Sequence, residues 1–443
     1  MRAWLVVGVA LAVCSCLGSG VSAQTPLPTT HVEPGTPGAP VASEPTGSEY
    51  AASALAPAPA AAAVPAPSSV SHEPTPPVEP AEVIAAGASP SALAPGPRRR
   101  LWDIVKVLPI LFYMPETSLG LGAGMLFQFR MPGATAKLRK SSVSLGAVYT
   151  LENQTLAQLT PDLRFGDDDY VLRLDLLGAK YPSRFYGIGN DPSAAVYDTF
   201  IDCYARGELD FRTRPFRRGH WLDPLYVGGH YSAAWSDVHD AKPADPRFAS
   251  TFAGMNNPGE RPLFASGIGP SVAWDSRDSL NWPNHGSFVD VKATTFEPWL
   301  GSDVRYRRLT IDARRYQPLW LDHVLAMRVV AQSVWGEVPF QRMPQLGGAG
   351  MFRGWYTGQL RGPRLIAIEA EYRLPLSKRW AVVAFGSVGR VGEHVRALNP
   401  KGLHVGGGGG LRFSVDKHDR VNIRLDMAYG DSFRPYLQFR EAF

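Results

Sequence analysis

From Leu101 onward this chain alternates apolar and charged side chains with a period of two, a pattern that calls for β-strands with two different faces. Tyr170, Leu172, Leu174 and Leu176 alternate with Val171, Arg173, Asp175 and Leu177. Ala205, Gly207, Leu209 and Phe211 alternate with Arg206, Glu208, Asp210 and Arg212, and Val421, Ile423, Leu425 and Met427 with Asn422, Arg424, Asp426 and Ala428. No helical period competes, and no apolar run reaches the length of a spanning helix. Two folds satisfy the alternation. In a soluble sandwich the apolar face is the core and the charged face meets solvent. In a membrane barrel the apolar face meets lipid and the charged face lines a lumen.

Four features favour the barrel. The strand-like segments run to roughly 10–14 residues, against about 9–11 for a tilted bilayer crossing. Charges of both signs neighbour one another on the polar face, as a packed wet lumen needs. Aromatics gather near segment ends, at Trp102, Tyr113, Tyr181, Trp221, Trp235, Trp282, Trp299, Trp320, Trp335 and Trp380, as in an interfacial girdle. The last residue is Phe443, with Leu437 and Phe439 on one face of the final segment, so Phe439 and Phe443 are read as a terminal signal for barrel assembly. Counting back from Phe443 gives fifteen segments, and residues 104–113 supply the sixteenth that an even-numbered bacterial barrel requires. The three longest connections, 181–197, 239–262 and 336–362, then fall on one side, which is extracellular if both termini are periplasmic. The expected fold is all-β: a 16-stranded antiparallel transmembrane β-barrel over 101–443, in a Gram-negative-type outer membrane.

The first hundred residues follow other rules. Residues 1–23 have a positive start at Arg2, an apolar run from Trp4 to Val13 and small residues at Val21-Ser22-Ala23, the pattern of a secretory signal peptide. Residues 24–100 are Pro/Ala-rich, with no Lys or Arg before Arg98. Such a segment cannot bury enough apolar area to offset its ordering entropy, so a disordered linker is expected. With Cys14 and Cys16 in the leader, Cys203 is the one cysteine left, and no internal disulfide is expected. A formal charge of +5 with no basic helix or aromatic-basic ladder speaks against a nucleic-acid partner.

The stretch Gly347–Gly362, GGAGMFRGWYTGQLRG, is too glycine-rich for a helix and too long for a hairpin turn. A loop of this length between strands is functional or disordered. At its centre Phe352-Arg353-Gly354-Trp355 carries a guanidinium that needs a partner if the loop is buried. Other constellations point to no chemistry. There is no HExxH or paired CxxC motif, so no metal or cofactor is expected. The glycine run Gly406 to Gly410 lacks the Lys-Ser or Lys-Thr of a phosphate loop and reads as a strand that a neighbour approaches closely. No spacing singles out a Ser-His pair, and no enzyme is expected. Arg305, Arg307, Arg314 and Arg315 admit two readings, an anion path or lipopolysaccharide-phosphate site and ordinary lumen or rim charge.

Several motifs together resemble those of the bacterial surface antigen family, the outer-membrane insertase and translocase barrels. Phe352-Arg353-Gly354-Trp355 is similar to the family's apolar-Arg-Gly-aromatic loop signature. Glu369-Ala370-Glu371-Tyr372-Arg373 is similar to its acidic strand after that loop. Asp275-Ser276-Arg277-Asp278, with Pro283 and Gly286, resembles its Asp-x-Arg-Asp…Pro…Gly hairpin, and Gly406 to Phe443 resembles its closing strands. The resemblance covers about 105–443. It implies a sixteen-stranded barrel whose sixth outer loop folds into the lumen, with Arg353 and Gly354 at the loop tip and Glu371 as the arginine's partner. The family places a second acid in a Phe-x-Asp-x-Gly pattern, and Phe385-Gly386-Ser387-Val388-Gly389 puts Ser387 there. Residues 24–97 show no pattern of the periplasmic polypeptide-transport-associated domains that transporting members carry, while Phe185 to Asp191 resembles members with little or no such domain.

The function this implies is assembly of outer-membrane proteins, or transport of protein or lipid, through a seam weakened by Pro109 and Pro435. The expected partners are outer-membrane lipid and lipopolysaccharide, with a periplasmic protein or a client barrel. The alternatives are a passive pore and a structural surface-antigen barrel tethered through its Pro-rich segment.

Overall fold

The computed structural model describes residues 105–131, 141–166, 168–252, 255, 257–416, 420–439 and 441–443. The signal-peptide and linker readings, and Trp102, lie outside them. The described chain runs through β1 (Val105–Met114), β2 (Ser118–Phe129), β3 (Ser141–Thr150), β4 (Thr155–Phe165), β5 (Tyr170–Phe185), β6 (Asp198–Thr213), β7 (Leu225–Pro243), β8 (Leu263–Asp275) and β9 (Gly286–Phe296). It continues through β10 (Tyr306–Pro318), β11 (Val324–Gly336), β12 (Gln345–Leu346), β13 (Leu360–Arg361), β14 (Arg364–Pro375), β15 (Trp380–Gly392), β16 (His404–Asp416), β17 (Val421–Tyr429) and β18 (Phe433–Phe439). β1–β11 and β14–β18 close into one antiparallel barrel of sixteen strands. β12 and β13 pair with each other inside the β11–β14 connection, and Arg361 of β13 also bridges Gly189.

The choice between sandwich and barrel is settled by where the two faces point. Phe211, Ile368 and Met427, on the apolar faces, are 49%, 47% and 43% exposed, while the charged Asp210, Arg212, Glu371, Arg424 and Asp426 are all buried. A soluble sandwich has the opposite arrangement, whereas a barrel in lipid has this one. Trp221, Trp299 and Trp320 stand exposed in turns, and Trp335 and Trp380 are half exposed at strand ends, as girdle positions require. Trp282 is a correction. It is buried in the β8–β9 turn, which folds inward, and the Arg373 guanidinium lies 4.6 Å from its ring centre.

The expected boundaries fall short at β5 and β7, which run to 16 and 19 residues. Apolar alternation fades toward their far ends, but pairing continues through Phe185↔Asp198 and Asp198↔Pro243. The long connections on that side are therefore 186–197, 244–262 and 337–363. Their inner surface is roofed by Phe185, Phe200 and Phe340, with Phe252 packed against them.

The barrel closes unevenly. Every residue of β1 from Val105 to Met114 pairs with β2, but toward β18 the one pair among the described residues is Tyr113 with Leu437. Pro109 in β1 and Pro435 in β18 each lack a ladder N–H.

Candidate functional site: a lumenal arginine lock

The 337–363 connection folds back into the barrel. Leu346, Phe352 and Leu360 anchor it among Val330, Leu365, Ala367 and Val391 on the inner wall. Two left-handed residues, Phe352 (φ +67°) and Gly354 (φ +99°), turn the chain sharply around Arg353. The first is costly for a non-glycine, and Glu369 holds it in place by accepting the Phe352 N–H at 2.9 Å. The Gly354 N–H donates to the Tyr436 hydroxyl at 3.0 Å, Trp355 Nε1 to the Val405 carbonyl at 2.8 Å, and the Thr357 N–H to Glu116 at 2.8 Å. The tip is thereby tied to β14, β16, β18 and the β1–β2 turn.

Arg353, 1% exposed, sits at the centre. Its Nη2 lies 3.0 Å from Glu371 Oε2 and its Nη1 2.8 Å from Asp426 Oδ2. Its guanidinium carbon lies 3.4 Å from the centre of the Phe385 ring, a desolvated cation–π contact. Burial by itself pulls the Arg353 pKa down, but the Glu371 and Asp426 carboxylates raise it above the usual arginine value. Glu371 also receives Arg373 Nε at 3.0 Å and Arg412 Nη2 at 3.2 Å. Asp426 also receives Arg412 and, at 3.3 Å, Arg424 Nη1. Arg412 reaches Glu441 at 2.7 Å, and Arg424 Nη2 donates to the loop carbonyl of Ala349 at 2.7 Å. The cluster thus sets four guanidiniums (Arg353, Arg373, Arg412, Arg424) against three carboxylates (Glu371, Asp426, Glu441). Nearer the loop side, Arg361 is wedged between the Phe185 and Phe340 rings, and burial lowers its pKa to about 10.

Ser387 does not supply the second partner of Arg353. It faces Glu369 and Gly406 in register, and its hydroxyl donates to the Gly406 carbonyl at 3.2 Å. The second acid is Asp426, two strands further on. It reaches across because β16 presents glycine there: a Cβ at Gly410 would lie 2.0 Å from Asp426 Oδ1, and one at Gly406 would lie 2.6 Å from the Arg353 carbonyl. The signal for Asp426 was its place on the charged face of 421–428.

The hairpin residues form the β8–β9 turn. Arg277 Nε donates to Asp275 at 2.9 Å, and Asp278 accepts the Asn284 N–H at 3.0 Å. Gly286 takes φ +103°. Arg373 Nη1 donates to the Pro283 carbonyl at 3.2 Å, which ties this turn to the lock.

Phe439 closes β18, opposite Ile423, but Phe443 is not part of that strand. Residues 441–443 lie inward, where Phe443 packs against Tyr316, Val324 and Ala326. Its carbonyl accepts from Arg373 Nη2 at 3.0 Å, and Glu441 supplies the third acid to the cluster. Arg412 and Arg373 thus take their contacts from Glu441 and Phe443 inside the lumen. Among the described residues no group of three or more His, Cys, Asp or Glu is arranged to hold a metal.

The model of the Omp85 superfamily domain matches residues 161–429, more than half of the chain. The chain belongs to the Omp85 superfamily. No curated protein sequence matches it. Among solved structures, CdiB from Escherichia coli is similar, with a TM-score of 0.50 at 12% identity over 75% of this chain and 62% of that one, and shares the fold. BamA from Haemophilus ducreyi lacking POTRA domains 1-3 gives a TM-score of 0.47 at 14% identity over 76% of this chain and 69% of that one. CdiB from Acinetobacter baumannii gives 0.46 at 11% over 76% and 59%. This Omp85 barrel therefore spans about six tenths of either CdiB chain.

Gly354 gives a direct check of the loop geometry. A Cβ there would lie 2.6 Å from the Tyr429 carbonyl carbon, at a φ that L side chains avoid. Gly354→Ala is expected to destabilise the barrel by about 1–3 kcal/mol, read as a lower temperature for the heat-induced band shift in detergent gels.

Proposed function

We propose that this Omp85 barrel is an insertase- or translocase-type protein, which passes polypeptide or lipid into or across the outer membrane through the β1–β18 seam. The observation that carries this reading is the seam itself, where Tyr113↔Leu437 is the one pair among the described residues while every other pair of neighbouring barrel strands shares seven or more. A ladder this short costs little to open, and its opening frees edges on which a client strand can pair. The lock lies beside it, because Tyr436 of β18 holds Gly354 and the Glu116 turn holds Thr357. In this reading residues 1–23 direct export, both termini are periplasmic, and 186–197, 244–262 and 337–363 face outward. A periplasmic protein delivers the client, and no catalytic step is needed.

The test is a folding assay. Vesicles carrying the protein are expected to speed the folding of a second, urea-unfolded outer-membrane barrel over empty vesicles. One observation favours a passive pore instead, a lumenal cavity of about 500 Å3 bordered by Met114, Asp312, Arg328 and Gln438. Steady conductance in a planar bilayer without faster client folding would support the pore and reject the insertase.

A further inference from the structure

Arg305, Arg307, Arg314 and Arg315 separate in space, and their separation reveals a second feature of this barrel. Arg314 faces the lumen, held by Asp312 at 2.6 Å. Arg307 and Arg315 share the lipid-facing side of β10, with the apolar Leu309, Ile311 and Ala313 between them. Arg315 is satisfied at its end of the strand, donating to Ser287 at 3.0 Å and Gln317 at 3.2 Å. At the other end, where the 337–363 connection begins, Arg307 is exposed and its side chain has no hydrogen bond or ion pair with any described residue.

The surroundings of Arg307 are built to hold an anion. It pairs in register with Trp335, which is 42% exposed. The Arg364 guanidinium stacks on that ring, 4.4 Å from its centre. Arg364 is buried; its Nη1 donates to the Val334 and Pro363 carbonyls, its buried Nε has no partner, and no carboxylate pairs with it. The acids of this rim are Glu297, taken by Arg305 at 2.9 Å and by Thr295 at 3.2 Å, Asp303, which accepts the Phe264 N–H at 2.7 Å, and the exposed Glu337. Two guanidiniums without carboxylates thus flank an interfacial tryptophan, at the depth where lipid phosphates lie. A phosphate matches a planar guanidinium in both charge and geometry.

We propose that Arg307 and Arg364, around Trp335, form a binding site for the phosphate of a membrane lipid. The site rests on the lipid-facing exterior of the barrel and does not depend on the insertase reading. A phosphate carried by a lipid is favoured over free phosphate because the apolar face of β10 continues directly below the site and receives acyl chains.

The test is binding of a diphosphorylated glycolipid to the full-length barrel in detergent micelles, followed by native mass spectrometry. Arg307→Gln is expected to weaken binding roughly five-fold. Removing the lipid's phosphates is expected to weaken it at least as much. Arg315→Gln, at the other end of the same face, is expected to leave it unchanged, and inorganic phosphate is expected not to displace the lipid. Arg307 is exposed and unpaired, so its variant should keep the heat-shifted gel band of the folded barrel. Unchanged binding by Arg307→Gln, an equal loss with Arg315→Gln, or displacement by inorganic phosphate would each overturn the proposal.

Discussion

Arg353→Ala is expected to lower the stability of the barrel by about 3–5 kcal/mol, the cost of breaking a buried charge pair by removing one partner. The variant leaves Glu371 and Asp426 buried, each facing one cation fewer. It also removes the contact that covers the Phe385 ring. The loop is expected to leave the lumen wall, because Phe352, Gly354 and Trp355 are placed by the turn that Arg353 anchors. The measurements are the urea midpoint of the heat-shifted gel band and cleavage of the 337–363 segment by added protease. Arg353→Lys is expected to recover part of the loss. A lysine keeps the charge but cannot span two carboxylates on separate strands with a planar fork. An unchanged midpoint and unchanged protease resistance in the alanine variant would rule out the lock as a structural element.

The second large effect separates Asp426 from Ser387. Asp426→Ala leaves Arg353, Arg412 and Arg424 buried with only Glu371 and Glu441 near them, and is expected to cost about 3–5 kcal/mol. Ser387→Ala removes one hydroxyl donor to the Gly406 carbonyl and is expected to cost about 1 kcal/mol or less. Arg353→Ala added to Asp426→Ala is expected to cost much less than the two single changes summed, because the partners sit in one network. Equal losses from Ser387→Ala and Asp426→Ala would return the second role to Ser387.

These two residues mark the limit of what the sequence discloses. Period-two alternation, an even strand count and the placement of the long loops were enough for the barrel, because lipid outside and charge inside impose that pattern on each strand. The loop tip was legible too, since Arg353 in a glycine- and aromatic-rich loop needs a partner if that loop is buried. Glu371 was reached through the resemblance of Glu369-Ala370-Glu371-Tyr372-Arg373 to the family's acidic strand. Asp426 was not, because its contact depends on two strands converging across Gly410, and cross-barrel reach cannot be read from local order. The inward turn of Phe443 was hidden for a related reason. A terminal aromatic segment reads as lipid-facing until the charge balance around Arg373 and Arg412 is known. At β5 and β7 the alternation reported where lipid ends, and pairing carried the strands beyond that level.

Under the proposed function the β1–β18 seam must open for this Omp85 barrel to work. Tyr113 and Leu437 face each other across it, and directly opposed antiparallel positions are within disulfide reach. In a Cys203→Ser background, Tyr113→Cys with Leu437→Cys can be oxidised to lock the seam and reduced to release it. The direct measurement is the rate of client-barrel folding in vesicles carrying this variant. The expected result is loss of the acceleration when oxidised and its return on reduction, with the heat-shifted band intact in both states. Equal acceleration by the oxidised and reduced forms would contradict the account.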